Sequence, residues 1–96
     1  PKATVVLHPI FPRGWDTPES RKHHEKERAN NEKVNRIIRA YADGKDVLWL
    51  DFNARWTPNG WGVPKELMAD AIHPTSAGYD LWMSELNPVL DRLCAE

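Results

Sequence analysis

Apolar residues fall into two kinds of run along this chain. "ATVVLH" (Ala3 to His8) and "DVLWLDF" (Asp46 to Phe52) are β-branched or nearly continuously apolar, and Pro9 and Pro12 close the first. Runs of this kind predict strands buried on both faces, the habit of parallel sheets covered by helices. Elsewhere the apolar positions recur at helical spacing. Val34, Ile37, Ile38 and Tyr41 place one buried face on the second half of a polar helix running from about Pro18 or Glu19 to Ala42. Gly44, in "DGK", is available for a left-handed cap at its end. Tyr79, Trp82, Met83, Leu86, Val89, Leu90 and Leu93 predict a last helix starting near Thr75 or Ser76, with Pro88 bending or restarting it. Between them, "NARWTPNGWGVPKELMADAIHP" is a long Pro- and Gly-punctuated excursion, with one short helical turn expected at Pro64 to Met68.

The predicted order is strand, helix, strand, long loop, helix: one right-handed βαβ crossover and a closing helix. Two doubly buried parallel strands leave unpaired edges and an uncovered apolar face. The pattern therefore reads as the C-terminal half of an α/β sandwich whose other strands lie outside these residues. The chain enters its first strand-like segment without an initiator Met, a basic leader region or a cleavage site, as a segment from inside a fold would.

Composition narrows the function classes. With 41% hydrophobic and 28% charged residues and a formal net charge of −1, the chain is neither a disordered tail nor drawn electrostatically to nucleic acid. It has no basic stripe with interleaved aromatics, and no apolar run approaches a bilayer span. The single cysteine, Cys94, excludes an internal disulfide framework and a CxxC metal knuckle.

The candidate chemistry lies in "ADAIHPTSAGYDLW". Asp70 and His73 stand three residues apart in a loop tightened by Pro74. That spacing lets a carboxylate accept a hydrogen bond from imidazole Nδ1–H, fixing the tautomer and leaving Nε2 as a general base. The alternative is a surface Asp and a His at a helix entry. A metal site on this pair lacks convergent ligands. His8 ends the first strand, where open α/β sheets place ligands, and either lines a substrate pocket or pairs with backbone there. Trp15, Trp56 and Trp61 are the loop members of five tryptophans; Trp56 and Trp61 either wall an active-site cleft or pack against a missing half. Trp49 and Trp82 read as packing. His23 and His24 in "SRKHHEKER" point about 100° apart on a helix and read as a solvated face, with Arg28–Glu32 and Glu32–Arg36 as helix-face pairs.

The block "VPKELMADAIHPTSAGYDLW" resembles the closing block of the SGNH (GDSL-like) hydrolases, in the branch of the platelet-activating-factor acetylhydrolases and bacterial carbohydrate acetylesterases. "ATVVLHPIFPRG" resembles the family's fourth strand and following loop, and "NNEKVNRIIRAYADGKDVLWLDF" its helix and fifth strand. The resemblance implies the C-terminal half of a flavodoxin-like three-layer α/β/α sandwich with a Ser-His-Asp triad that hydrolyses carboxylic esters. The family's catalytic aspartate maps to Asp70 and its histidine to His73. Its nucleophilic serine lies in an N-terminal G-D-S block, and its other oxyanion donors in two middle blocks; none of these occurs in this sequence. Ser20, Ser76 and Ser84 each lack the glycine-flanked turn that presents a nucleophile. The resemblance thus implies a companion polypeptide carrying the N-terminal half with its serine, a small acyl-ester substrate such as an acetylated carbohydrate, no cofactor, and a secreted or periplasmic setting rather than the cytoplasm. The competing class is a non-catalytic α/β module that binds a partner through its strand edge and Trp-rich loop.

Overall fold

The computed structural model describes residues 3–95. In chain order the elements are β1 (Val5–Leu7), α1 (Pro18–Arg39), β2 (Val47–Trp49), α2 (Asn53–Trp56) and α3 (Ser76–Ala95). The two strands pair in parallel, with Val5 opposite Val47, Val6 opposite Leu48 and Leu7 opposite Trp49. This is the α/β arrangement the apolar runs predict, with shorter strands. The β-ladder continues one bond beyond each end, from the Val5 amide to the Asp46 carbonyl and from the Leu50 amide to the Leu7 carbonyl.

Helix α1 begins where the pattern places it. Thr17 is extended, its side chain accepts from the Ser20 amide, and Pro18 occupies the first helical position, where its missing N–H costs nothing. The helix ends at Arg39, earlier than the apolar spacing suggests. Gly44 is left-handed (φ 74°), but it belongs to the turn into β2 rather than to a helix cap. Asp43 Oδ1 organises that turn by accepting from the amides of Lys45, Asp46 and Val47.

The expected buried face of α1 is overturned at Val34, Ile37 and Tyr41, and Ile38 is only half-buried. Ile37 is 62% and Tyr41 73% exposed, and Val34 is also exposed. The buried residues of α1 are His24 and Arg28, from its first half. That half lies against the loops at Gly14 and Trp61: the Arg28 guanidinium sits 4.1 Å from the Trp61 ring centroid and donates to the Trp61 carbonyl. His24 accepts from Arg13 Nε at 3.1 Å. The solvated reading of this segment is therefore wrong at His24 and Arg28, and neither Arg28–Glu32 nor Glu32–Arg36 closes as an ion pair among the described residues. A planar guanidinium over an indole gains more from a desolvated contact than from an exposed helix-face pair.

The core gathers on the long excursion after β2. Phe52, Trp56, Val63 and Met68 are buried, with Phe11, Leu50, Leu67, Leu81 and Trp82 packed against them. Helix α2, absent from the periodicity, is one turn that drives Trp56 inward. Pro64 to Met68 forms a turn closed by bonds from the Leu67 and Met68 amides to the Pro64 carbonyl, but it does not become a helix. Helix α3 runs through Pro88 without interruption, so Pro88 does not restart it. Its start is fixed by Thr75, whose Oγ1 accepts from the Gly78 amide. Gly78 is required there, because a Cβ would lie 2.4 Å from the Leu67 carbonyl oxygen. No helix among the described residues is long and apolar enough to cross a membrane.

Candidate active site

The loop before α3 brings Asp70 and His73 together. Asp70 Oδ1 accepts from the amides of Ile72 (2.9 Å) and His73 (2.7 Å), while Oδ2 accepts from His73 Nδ1–H at 2.6 Å. The His73 amide and ring, followed by the Ile72 amide, hold the Asp70 carboxyl far below the usual carboxylate range. Asp70 is thus an anion and acceptor only, which assigns the proton of neutral His73 to Nδ1 and leaves Nε2 with a free lone pair. The imidazole is open to solvent, its side chain 78% exposed. Such a ring can take a proton at Nε2 and return it, with the charge it gains stabilised by Asp70.

The backbone at this point is unusual. Ala71, between the two residues, is left-handed (φ 69°) and buried. A residue with a Cβ disfavours that region by about 1–2 kcal/mol, so the surrounding contacts must over-determine it. The Ala71 carbonyl accepts from the Gly14 amide at 2.9 Å, the Ala71 amide donates to the Met68 carbonyl, and the Thr75 amide donates to the Leu67 carbonyl at 2.8 Å. An open cleft of about 640 Å³ lies beside Asp70, bordered by Trp15, Ser20, His23, His24, Lys65 and Ile72.

Residues 1–81 match the GDSL-like lipase/acylhydrolase family. The chain belongs to that family. No curated protein and no solved structure matches it. The match spans both strands, α1, α2 and the Asp70–His73 loop, and it marks this GDSL-like chain as belonging to a hydrolase of the esterase kind. The parallel pair with its helices is accordingly a partial flavodoxin-like fold.

The other residues singled out in this GDSL-like chain are placed differently from the sequence expectation. Trp56 has no exposed surface and stacks in the core, 4.9 Å from the Phe11 ring centroid, so it neither walls a cleft nor waits for a missing half. Its buried Nε1–H has no acceptor among the described residues. The Trp61 ring is engaged within the chain: Arg28 lies over it, Arg21 lies 5.1 Å from its centroid, and it abuts Gly14. Trp56 is thereby removed from any Trp-rich binding surface, whereas Trp61 stays half-buried under its arginines. His8, just after β1, is half-buried among aromatic rings. Its ring sits edge-on to Phe11, Phe52 and Trp82, and Nε2 accepts from Trp82 Nε1–H at 3.3 Å. Burial pushes its pKa below the ordinary imidazole value, against a smaller opposing pull from the Leu50 backbone. Trp82 packs as expected, perpendicular to Phe11.

Ser20 Oγ accepts from the Trp15 amide, Ser84 Oγ donates to the Leu81 carbonyl, and among the described residues no serine hydroxyl is bonded to His73. Gly14, Trp15 and Ala71 are the contributors to the loop that pattern reading misses. The doublet "GW" after a Pro-rich strand exit is the one signal that could have marked the first two.

Proposed function

We propose that this chain supplies the general base of a serine carboxylic-ester hydrolase, with His73 as the base and Asp70 as the residue that orients it. One observation carries the reading: in a chain of the acylhydrolase family, a firmly ionised carboxylate holds Nδ1 of a solvent-open imidazole at 2.6 Å. The nucleophilic serine and oxyanion donors come from an N-terminal segment or companion polypeptide whose strands also pair with the open edges of the β1–β2 sheet. His73 Nε2 takes the serine proton as Oγ attacks the ester carbonyl. The tetrahedral intermediate then collapses, and the imidazolium gives that proton to the departing alcohol. Water repeats the sequence on the acyl-enzyme and restores the serine. Preformed N–H donors would carry the oxyanion charge.

The substrate class proposed is a small acyl ester, an acetyl group on a carbohydrate being the favoured case by family resemblance. Of the residues expected to touch substrate, His8 is retained, because it directly follows β1 at the C-terminal strand end, where open α/β sheets bind ligands. Trp56 and Trp61 are not retained.

The test is hydrolysis of a simple acetyl ester by the isolated chain and by the chain together with a companion of about 100 residues carrying the G-D-S block, the usual size for completing such a domain. The expected result is no turnover from the chain alone and turnover from the pair. Equal turnover by the isolated chain would refute the division of the triad.

A further inference from the structure

The Asp70–His73 loop is gripped from a distant part of the chain. Trp15, in the loop between β1 and α1, donates from indole Nε1–H to the Met68 carbonyl at 2.8 Å, across 53 positions. Its neighbour Gly14 donates from its amide to the Ala71 carbonyl at 2.9 Å. These two bonds land on either side of Asp70, two residues before it and one after. Trp15 is itself fixed, since its amide donates to Ser20 Oγ in the first turn of α1 at 2.8 Å and the Lys65 ammonium lies 4.6 Å from its ring centroid. Gly14 is fixed too: it is left-handed (φ 99°), its carbonyl accepts from the Val63 amide at 2.8 Å, and a Cβ would come within 2.9 Å of the Trp61 ring.

The bonds matter because of what they hold. Ala71 occupies a conformation that an alanine adopts at a cost, and with Ala71 so placed, the Ile72 and His73 amides both reach Asp70 Oδ1. Oδ2 is then left to orient the imidazole. Released from its grip, the loop would relax toward ordinary backbone angles and scatter the three donors that converge on one carboxylate.

We propose that Trp15 is a positioning residue for the Asp70–His73 pair, its indole N–H acting with the Gly14 amide to hold the loop in which one carboxylate orients one imidazole. As a statement about catalysis this rests on His73 being the general base; as a statement about geometry it does not.

The experiment is a ¹³C NMR titration of the Asp70 carboxyl in the intact protein, for wild type, Trp15→Phe and Lys65→Ala. Phe retains the aromatic packing and removes the donor, whereas Lys65→Ala removes a contact on the same ring and leaves the donor. The Asp70 midpoint is expected to rise toward that of an ordinary carboxylate in Trp15→Phe and to stay at the wild-type position in Lys65→Ala. With an acetyl-ester substrate, Trp15→Phe is expected to lower kcat roughly 10- to 100-fold with KM nearly unchanged, the pattern of a misplaced group rather than lost binding. An Asp70 midpoint identical in wild type and Trp15→Phe overturns the proposal. Should Trp15→Phe fail to fold, wild type suffices. Linkage is reciprocal, so the Trp15 Nε1–H resonance should shift with the same midpoint as Asp70, and an indole proton that ignores Asp70 protonation overturns the proposal equally. Neither titration needs turnover, so failure of the esterase reading would be recognised separately, by His73→Ala leaving ester hydrolysis intact.

Discussion

Asp70 accepts three hydrogen bonds with two oxygens, and each has a separate consequence. The two amide bonds to Oδ1 set the shape of the loop, and the bond to Oδ2 sets the tautomer of His73. Asp70→Asn keeps the size of the side chain but offers one oxygen and an NH₂, so it cannot satisfy both sets of donors. Its expected cost is a fall in kcat of about 10⁴-fold, as when a triad aspartate is neutralised elsewhere, with the fold retained. Steady-state kinetics and an amide spectrum of the intact protein check both halves. Ala71 makes a second residue-scale prediction. Ala71→Val puts a β-branched side chain at φ 69° in a buried position and should cost about 1–3 kcal/mol of stability, read by urea denaturation. Ala71→Gly removes the strained Cβ and should leave the Asp70–His73 contact in place.

Among the elements, the start of α3 is what the loop leans on. Thr75 caps the helix, donates its amide to Leu67 and bonds from Oγ1 to the Glu66 carbonyl, while Gly78 lets the helix approach Leu67 within backbone contact. Gly78→Ala improves intrinsic helix propensity by about 1 kcal/mol, yet it is expected to destabilise by roughly 1–3 kcal/mol, because its Cβ would overlap the Leu67 carbonyl and overpack the contact. Thermal denaturation decides which effect wins, and an unchanged or raised Tm would contradict the packing described for this junction. Helix starts were legible in the sequence because Thr17 with Pro18, and Thr75 ahead of Gly78, are local chemical signals. Helix α2 was not. It is four residues long, its N-cap Phe52 makes no side-chain cap, and what holds it is the burial of Trp56 against Phe11, a contact made far along the chain. Ala71 was illegible for a related reason. Nothing in an alanine signals a left-handed backbone, and the Gly14 amide that holds it arrives from another loop.

Over the whole molecule, the helical spacing of apolar residues on α1 did not translate into a buried face among the described residues. Ile37 and Tyr41 stand in solvent, and Val5 on β1 is also exposed. Periodicity reports which face wants a partner and is silent on where the partner comes from. The contact between Asp70 and His73 was legible from spacing and family resemblance, whereas the substrate contact assigned to Trp56 was not sound, because that indole is buried in the core. An indole in a loop carries the same letters whether it faces a cleft or a core.

Acid stability follows from the same groups. His8 and His24 both have lowered pKa values, chiefly from burial, with Arg13 and then His23 adding to the effect at His24. A depressed folded-state value means the neutral ring is the folded form. Its contribution is present above the unfolded value of 6.5 and is lost as pH falls through the folded value. Asp70 acts in the same direction lower down: its contribution is present above 3.8 and disappears only as pH drops well below that. Tm measured against pH should therefore decline first below 6.5 and then again in strong acid, with the Asp70 loop surviving pH values at which ordinary carboxylates are already half protonated. A Tm that is flat from neutral pH to 3.8 would contradict the desolvation of the two histidine rings.

The central claim is that His73 is the base of an ester hydrolase, and the most direct measurement is the rate of acetyl-ester hydrolysis by the serine-containing protein with and without His73→Ala. A loss of about 10³-fold or more in kcat, with the fold unchanged, is the predicted result. Hydrolysis that proceeds at the wild-type rate in His73→Ala would contradict it.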